Sequence, residues 1–518
     1  MQSIARNIRQ FSVAHGRHFA STRALPRDAI RNGLVVGMFA SHKLFNGSQI
    51  PQALQDKIVQ EVQALDNKAD AGSVQLVLSP DLTQHIAVVG LGSSESSANT
   101  SEIVRTAVAN GIKQLKAKKV ANISIAPMPC AHAAGEAAAL ASFTFTGFKT
   151  QKKAEETPLS IVAADATAEW NAGQVYAEAQ NFARELMATP ANFMTPTIFA
   201  QRVQDEMASL PNVKVNVFDE KWARDQRMGG LIAVSQGSDE PLRFVEIVYQ
   251  GRPGPGPVSL ALVGKGITFD TGGYSLKLGK NMDLMKGDMG GGATVVAAMR
   301  AIAQLQLPIN VVATVPLCEN MVSGRATKVS DVYTSRAGLT VEVMNTDAEG
   351  RIVLADALHY TVEAHQPQSV VDVATLTGAM VVALGELYTG VFTPSPSLWQ
   401  HIDRAGATTD EPVWRMPLHD RWDAMLKSPI ADLSNIGCKG EAGACTAAAF
   451  LRQFVDGPRL TPPAVMREQN NDESVPRWAH LDIAGPMEAS TSEGYHHQGM
   501  SGRPTRLLIE LAKQLSAE

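Results

Sequence analysis

The chain has 518 residues, 45% of them apolar and 19% charged, with a formal net charge of −5. That length exceeds one small domain, and the apolar share can fill a sizeable core. The acidic balance argues against a surface that attracts nucleic acid throughout, and no run of roughly 18 apolar residues reads as a membrane span.

Residues 1–27 come first. They carry Arg6, Arg9, Arg17, Arg23 and Arg27 with no acid before Asp28, and Ile4, Ile8 and Phe11 fall at near-helical spacing. This composition predicts a mitochondrial targeting segment; the alternative is a basic tail on a cytoplasmic protein. Strands are expected at 33–39, 85–92 and 120–125, with helices at 51–65 and 101–115 between and after them. Alternation of this kind implies a parallel α/β sheet, so an N-terminal α/β domain is expected over 30–190. A helical pattern at 169–187 stops at a run holding Pro190 and Pro196, where the domain boundary is expected. The second domain, 191–518, has strands expected at 213–217, 243–249, 259–263, 309–315 and 369–373. Its helices are expected at 289–305, 350–364 and 442–455, and 456–476 reads as an exposed loop. The four cysteines, Cys130, Cys318, Cys438 and Cys445, form no CxxC pair. They are neither a disulfide framework nor a zinc-finger pattern, and a reducing compartment suits them.

Three segments of the second domain could carry chemistry. The apolar strand ending at Gly264 runs into Lys265, Gly266, Asp270, Gly272 and Gly273. Ligands of open α/β sheets bind outside the carboxyl ends of strands, and glycine lets backbone approach them closely. Lys277 and Asp288 follow, the latter just before a small-residue helix. Then Asn345-Thr346-Asp347-Ala348-Glu349-Gly350-Arg351 joins a strand-like stretch to a helix-like one. Taken singly, each acid fits a solvated turn or a helix cap. Taken together, four converging carboxylates would repel and raise one another's pKa values. Divalent cations remove that problem, and oxygen-rich sites suit hard or borderline metals. Two such ions about 3.5–4 Å apart would polarise a carbonyl and acidify a bound water. HExxH, a Gly-x-Ser-x-Gly elbow and a P-loop are all missing from the sequence.

Residues 263–273, 285–288 and 345–351 closely resemble the leucyl aminopeptidase (cytosol aminopeptidase) family, peptidase family M17. Residues 372–378, 478–485 and 502–504 support the resemblance, which runs from about residue 181 to the C-terminus. It implies a smaller N-terminal α/β domain, macrodomain-like, and a larger C-terminal α/β catalytic domain with a central mixed sheet. It implies a metal-dependent aminopeptidase that releases leucine-like N-terminal residues by attack of a metal-bridging hydroxide. Two divalent metal ions, Zn2+ or Mn2+ with Mg2+ possible, are implied. Lys265, Asp270, Asp288 and Glu349 would hold one, and Asp270, Asp347 and Glu349 the other. A lysine ligand must be neutral. Lys277 would polarise the scissile carbonyl, Arg351 would hold a bicarbonate acting as general base, and Met285 and Asp288 would also face the substrate. A homohexamer acting on peptides is implied, without membrane or nucleic-acid partners. The rival functions are a Cys-Gly dipeptidase of glutathione turnover, a nucleic-acid-binding or structural role on the same fold, and a dimetal phosphoesterase.

Overall fold

Two separate sheets divide the chain. The computed structural model describes residues 31–518 apart from 48–49, 66, 94–99, 151–158, 255 and 456–475. The expected targeting segment lies outside the described residues, as does all but the last residue of the expected loop at 456–476.

The first sheet is built from β1 (Asn32–Met38), β2 (Val74–Leu78), β3 (Gln84–Gly90), β4 (Asn122–Ile125) and β5 (Ser160–Ala163) in the order β2-β3-β1-β4-β5. Only β2 runs antiparallel to its neighbour. Helices cover both faces, so the parallel strands read as nearly unbroken apolar runs. Val35 of β1 faces a core shared with α2 (Thr100–Ala117) and α3 (Ala131–Ser142). Val36 and Met38 face the opposite core, with Ile58 and Val62 of α1 (Gln52–Ala64).

Helix α4 (Ala168–Ala188) leads to the second sheet. The Thr167 hydroxyl caps it by accepting from the Trp170 N–H. Trp170 and Ala177 pack in the first domain, whereas Phe182, Leu186 and Met187 pack in the core of the second. The helix therefore belongs to both domains, and its break before Pro190 marks the end of the shared segment. Thr195 then caps α5 (Pro196–Met207), whose leading proline suits a first helical turn.

The second sheet contains β6 (Val213–Phe218), β7 (Arg243–Gln250), β8 (Leu260–Gly264), β9 (Gly266–Asp270), β10 (Asn310–Asn320), β13 (Ser369–Ala374), β14 (Thr389–Phe392), β15 (Val413–Arg415) and β17 (Arg477–Asp482). Between them in the chain lie the strands of a small side sheet, β11 (Val332–Thr334), β12 (Thr340–Glu342) and β16 (Leu433–Ser434). The main order is β15-β14-β17-β13-β8-β10-β7-β6, with β9 continuing beside β10. The central strands β17, β13, β8 and β10 are parallel, while β14, β7 and β6 join their inner neighbours antiparallel. The sheet is therefore mixed, as expected. On one face, α4 and α5 pack with α6 (Gly290–Gln304) and α10 (Thr505–Leu515). On the other lie α7 (Gly350–His365) and α9 (Gly443–Arg452). The remaining long helix of this domain, α8 (Pro396–Thr409), buries Leu398 and Ile402 in the first of these cores. No described helix is long and apolar enough to cross a membrane.

Buried charge joins the domains. Glu136 of α3 accepts from Arg105 Nε of α2 at 2.5 Å and from Arg506 Nη1 of α10 at 3.2 Å. Arg506 Nε also donates to Gln180 of α4 at 2.7 Å.

Candidate active site

The carboxyl ends of β8, β9, β10 and β13 meet the N-terminal ends of α6 and α7 at one place. Lys265 stands at the joint where β8 hands over to β9. Its N–H donates to Val373 of β13, and its carbonyl accepts from Gly292 at the start of α6. A Cβ on Gly264 would lie 2.6 Å from the Gly292 Cα, and one on Gly291 only 1.9 Å from the Val373 carbonyl, so glycine is required for this approach. Further along β9 the register with β10 slips between Cys318 and Glu319. A bulge of this kind re-aims the side chains that follow it, Asp270 among them.

The Asn345–Arg351 run lies beside that strand end. Gly272 and Gly273 have φ of +86° and +60°, a conformation that glycine adopts without strain. Their loop is tied to the run by Thr346, whose hydroxyl donates to the Gly272 carbonyl and accepts from the Ser275 N–H, both at 2.7 Å. Asp347 and Glu349 precede α7 but do not cap it through their side chains. Asp288 likewise leaves α6 uncapped. Capping therefore does not account for these acids. Gly350 is also explained, because a Cβ there would meet the Lys265 Nζ at 2.7 Å.

The charged groups converge. Lys265, 2% exposed, places its Nζ 2.8 Å from Asp288 Oδ2 and 2.8 Å from Glu349 Oε1, and donates to the Thr375 carbonyl at 3.1 Å. Lys277 reaches from the loop to Asp270 Oδ2 at 2.7 Å and Asp347 Oδ1 at 2.5 Å. One oxygen from each of Asp270, Asp347 and Glu349 lies within 4.8 Å of the others. Met285 sits half-buried on the turn before Asp288, and its carbonyl accepts from the Asp288 N–H. Arg351 is buried, and its Nη1 donates to the Asn435 carbonyl at 3.0 Å.

Four carboxylates thus face two ammonium groups, and the ionisation of the acids reflects it. Burial, followed by the charge of Glu349, raises the Asp270 pKa against the pull of Lys277 and Lys265. Burial lifts Asp288 well above its ordinary value, and Glu349 and Asp270 add to the rise although Lys265 opposes it. Burial also raises Asp347. Burial acts to lower the Lys265 pKa, but Asp288, Glu349 and Asp270 outweigh it and the net direction is up. Lys277 behaves in the same way, through Asp270 and Glu349. Burial pulls Arg351 down to about 10. Glu349 Oε2 and Arg351 Nε are buried and find no hydrogen-bond partner among the described residues. An orphaned carboxylate oxygen in a cluster short of positive charge fits a cation, and an orphaned guanidinium N–H fits an anion.

The structure adds groups that the sequence reading did not single out. Asn320 ends β10 and donates to Asp270 Oδ1 at 2.8 Å and to the Thr346 carbonyl at 3.0 Å. Thr375 Oγ1 donates to Asp288 Oδ1 at 2.8 Å. Asn435, fully buried, donates to the Asn345 carbonyl at 2.6 Å and accepts from the Met344 N–H at 2.8 Å.

A mixed α/β sheet with carboxylates and lysines gathered at its carboxyl edge has the layout of a metal-dependent hydrolase. Comparison with known proteins narrows the class. The cytosol aminopeptidase catalytic-domain family model matches residues 181–509, and the N-terminal-domain model of the same family matches 35–152. The chain is 41% identical to the cytosol aminopeptidase of Xenopus tropicalis, covering 95% of this chain and 94% of the relative. It is 39% identical to that of Homo sapiens, covering 99% and 97%. Among solved structures, the bottromycin maturation enzyme BotP in complex with Mn superposes with a TM-score of 0.79 at 31% identity, covering 94% of this chain and all of that one. A point mutant of tomato leucine aminopeptidase gives 0.77 at 28% identity, with 95% of each chain covered. The chain belongs to the cytosol aminopeptidase family, peptidase family M17. It is accordingly a hydrolase, a metallopeptidase of the aminopeptidase type that depends on divalent metal.

Proposed function

We propose that this protein removes leucine-like residues one at a time from the free N-termini of peptides at a two-metal site. The observation that carries this is the convergence of Asp270, Asp347 and Glu349, together with the unpartnered Glu349 oxygen. Lys265, Asp270, Asp288 and Glu349 would hold one ion, Zn2+ or Mn2+, and Asp270, Asp347 and Glu349 the other. When bound, the two ions supply Lewis-acid polarisation of the scissile carbonyl and an acidified water.

The protein's own groups do the rest. Lys277 is the more exposed of the two lysines, and its neighbours keep it protonated. It is therefore the group that donates to the developing oxyanion. Lys265 is protonated beside Asp288 and Glu349, yet a lysine ligand must be neutral. To serve as a ligand, Lys265 would have to give up that proton as an ion is taken up. Arg351 cannot accept a proton near neutrality; bicarbonate fits beside its unpartnered Nε and, when bound, would supply a general base. Met285 and Asp288 border the place where the first substrate residue enters. A homohexamer follows from the family resemblance, and delivery to mitochondria from the arginine-rich composition of residues 1–27.

A substrate panel tests the proposal. Leucyl-anilide should be cleaved faster than Cys-Gly, and an N-acetylated leucyl-anilide should not be cleaved. Equal cleavage of the blocked substrate would refute the exopeptidase assignment, and faster Cys-Gly turnover would favour the dipeptidase.

A further inference from the structure

Residues 478–485 share the family resemblance but have no role in the chemistry above. They include β17, where Trp478, His480 and Asp482 alternate onto one face of the sheet. Trp478 Nε1 and His480 Nδ1 both pair with Asp372 of β13, at 2.7 and 2.5 Å. Asp482 is fully buried and ends β17 opposite Ala374. It does not touch Asp372 but turns to the loop that leaves β13. Its Oδ1 accepts from the Leu376 N–H at 3.2 Å and the Ala484 N–H at 3.1 Å, and its Oδ2 accepts from the Thr377 hydroxyl at 2.6 Å.

That loop is the outer wall of the Lys265–Asp288 half of the site. The Thr375 carbonyl takes the Lys265 ammonium, and the Thr375 hydroxyl donates to Asp288. Thr375 is thus pinned between Ala374, paired with β17, and two residues fixed by one carboxylate. A buried carboxylate is costly unless donors compensate it, and here three donors do so. Two of the three belong to the loop that grips the lysine and the acid.

We propose that Asp482 is a positioning residue for the Lys265–Asp288 half of the metal site, acting through Thr375. The proposal rests on the two-metal reading. Groups that orient metal ligands from behind affect metal affinity without touching the ion. Asp482 would hold Thr375 where its carbonyl and hydroxyl fix the lysine amine and the Asp288 carboxylate in one geometry.

The test is Mn2+ affinity of the full chain, measured by chelator competition, in wild type, Asp482→Asn, Thr377→Val and Asp372→Asn. Asp482→Asn should bind one Mn2+ about 10–100-fold more weakly, and saturating Mn2+ should restore its peptidase activity. Thr377→Val removes the shortest of the three contacts, together with the bond the Thr377 hydroxyl accepts from the Met380 N–H, and should weaken that site about tenfold; it decides the matter if Asp482→Asn does not fold. Asp372→Asn disturbs an equally buried carboxylate on the same pair of strands and should change affinity by less than about threefold, because it does not reach the loop. Wild-type affinity in Asp482→Asn, or an equal loss in Asp372→Asn, would overturn the proposal while leaving the two-metal reading intact. Failure of the wild type itself to bind Mn2+ would overturn both.

Discussion

Two buried charge clusters of the molecule are built on opposite plans. Between the domains, Glu136 has a guanidinium on each carboxylate oxygen. At the carboxyl edge of the large sheet, four carboxylates share two lysines, and Glu349 keeps an oxygen without a partner. The pKa directions follow the plan. Burial alone would raise Glu136, yet Arg105 and Arg506 outweigh burial and hold it far below the ordinary carboxylate range. At the other cluster burial prevails, and Asp270, Asp288 and Asp347 are all raised. A cluster whose charges are matched internally serves the fold. One left short of positive charge serves something that binds.

The contrast can be broken by removing one acid from each cluster. Glu349→Gln should lower kcat/KM by more than about 10³-fold, beyond the loss from a single oxyanion donor. Unfolding of the metal-stripped variant should require no less denaturant than wild type, because one of four carboxylates sharing two lysines has been removed and Lys265 keeps Asp288 as its partner. A clear drop in stability would place Glu349 with the structural acids. Glu136→Gln should do the reverse. It leaves Arg105 and Arg506 without their shared counter-charge and should cost about 3–5 kcal/mol by chemical denaturation, with Mn2+ affinity changed by less than about threefold. Lys277→Ala sharpens the division of labour within the active cluster. Its kcat should fall about 10²–10³-fold, or about 2.7–4 kcal/mol, while metal content measured by atomic absorption stays at the wild-type level.

Acidity separates the clusters by a smaller margin. The folded pKa of Glu136 lies below its ordinary value of 4.5. Its contribution to stability is therefore complete above that value and is lost as the pH falls through it toward the folded pKa. Denaturation midpoints between pH 6 and pH 3 should drop more steeply in wild type than in Glu136→Gln. The raised acids of the other cluster hold protons to higher pH, and metal must displace them. Mn2+ affinity should therefore climb with pH above the ordinary carboxylate range. Affinity independent of pH would contradict the shared use of these groups.

Much of this was legible because glycine and charge occur together in the sequence. Lys265 follows Gly264, Asp270 lies two residues before Gly272 and Glu349 precedes Gly350; a Cβ on Gly264 or Gly291 would strike backbone, and one on Gly350 would meet the Lys265 amine. Strand-like runs such as 259–263 and 369–373 match the observed β8 and β13 to within a residue or two, whereas the mixed character of the central sheet came only from the family resemblance. The supporting groups were hidden for physical reasons. The strand expected to stop at 315 continues to Asn320, because Pro316 falls where β10 exchanges β8 for β9 as its partner; a proline in an apolar run reads as an end. β17 was not among the expected strands: His480 and Asp482 interrupt its apolar pattern although both are buried, since their partners come from β13 and its loop. Asn435 lies in an irregular stretch with no periodicity, and only the fold brings it against the Asn345–Arg351 run. Helix α4 was assigned to one domain by its proline stop, whereas its side chains divide between two cores.

The most direct measurement follows bound Mn2+ and leucyl-anilide hydrolysis together while the metal-stripped protein is titrated. A two-metal aminopeptidase site predicts no activity in the stripped protein and full activity only as two ions per chain are taken up. Undiminished hydrolysis by fully stripped protein, or saturation with no metal bound at the wild-type cluster, would contradict it.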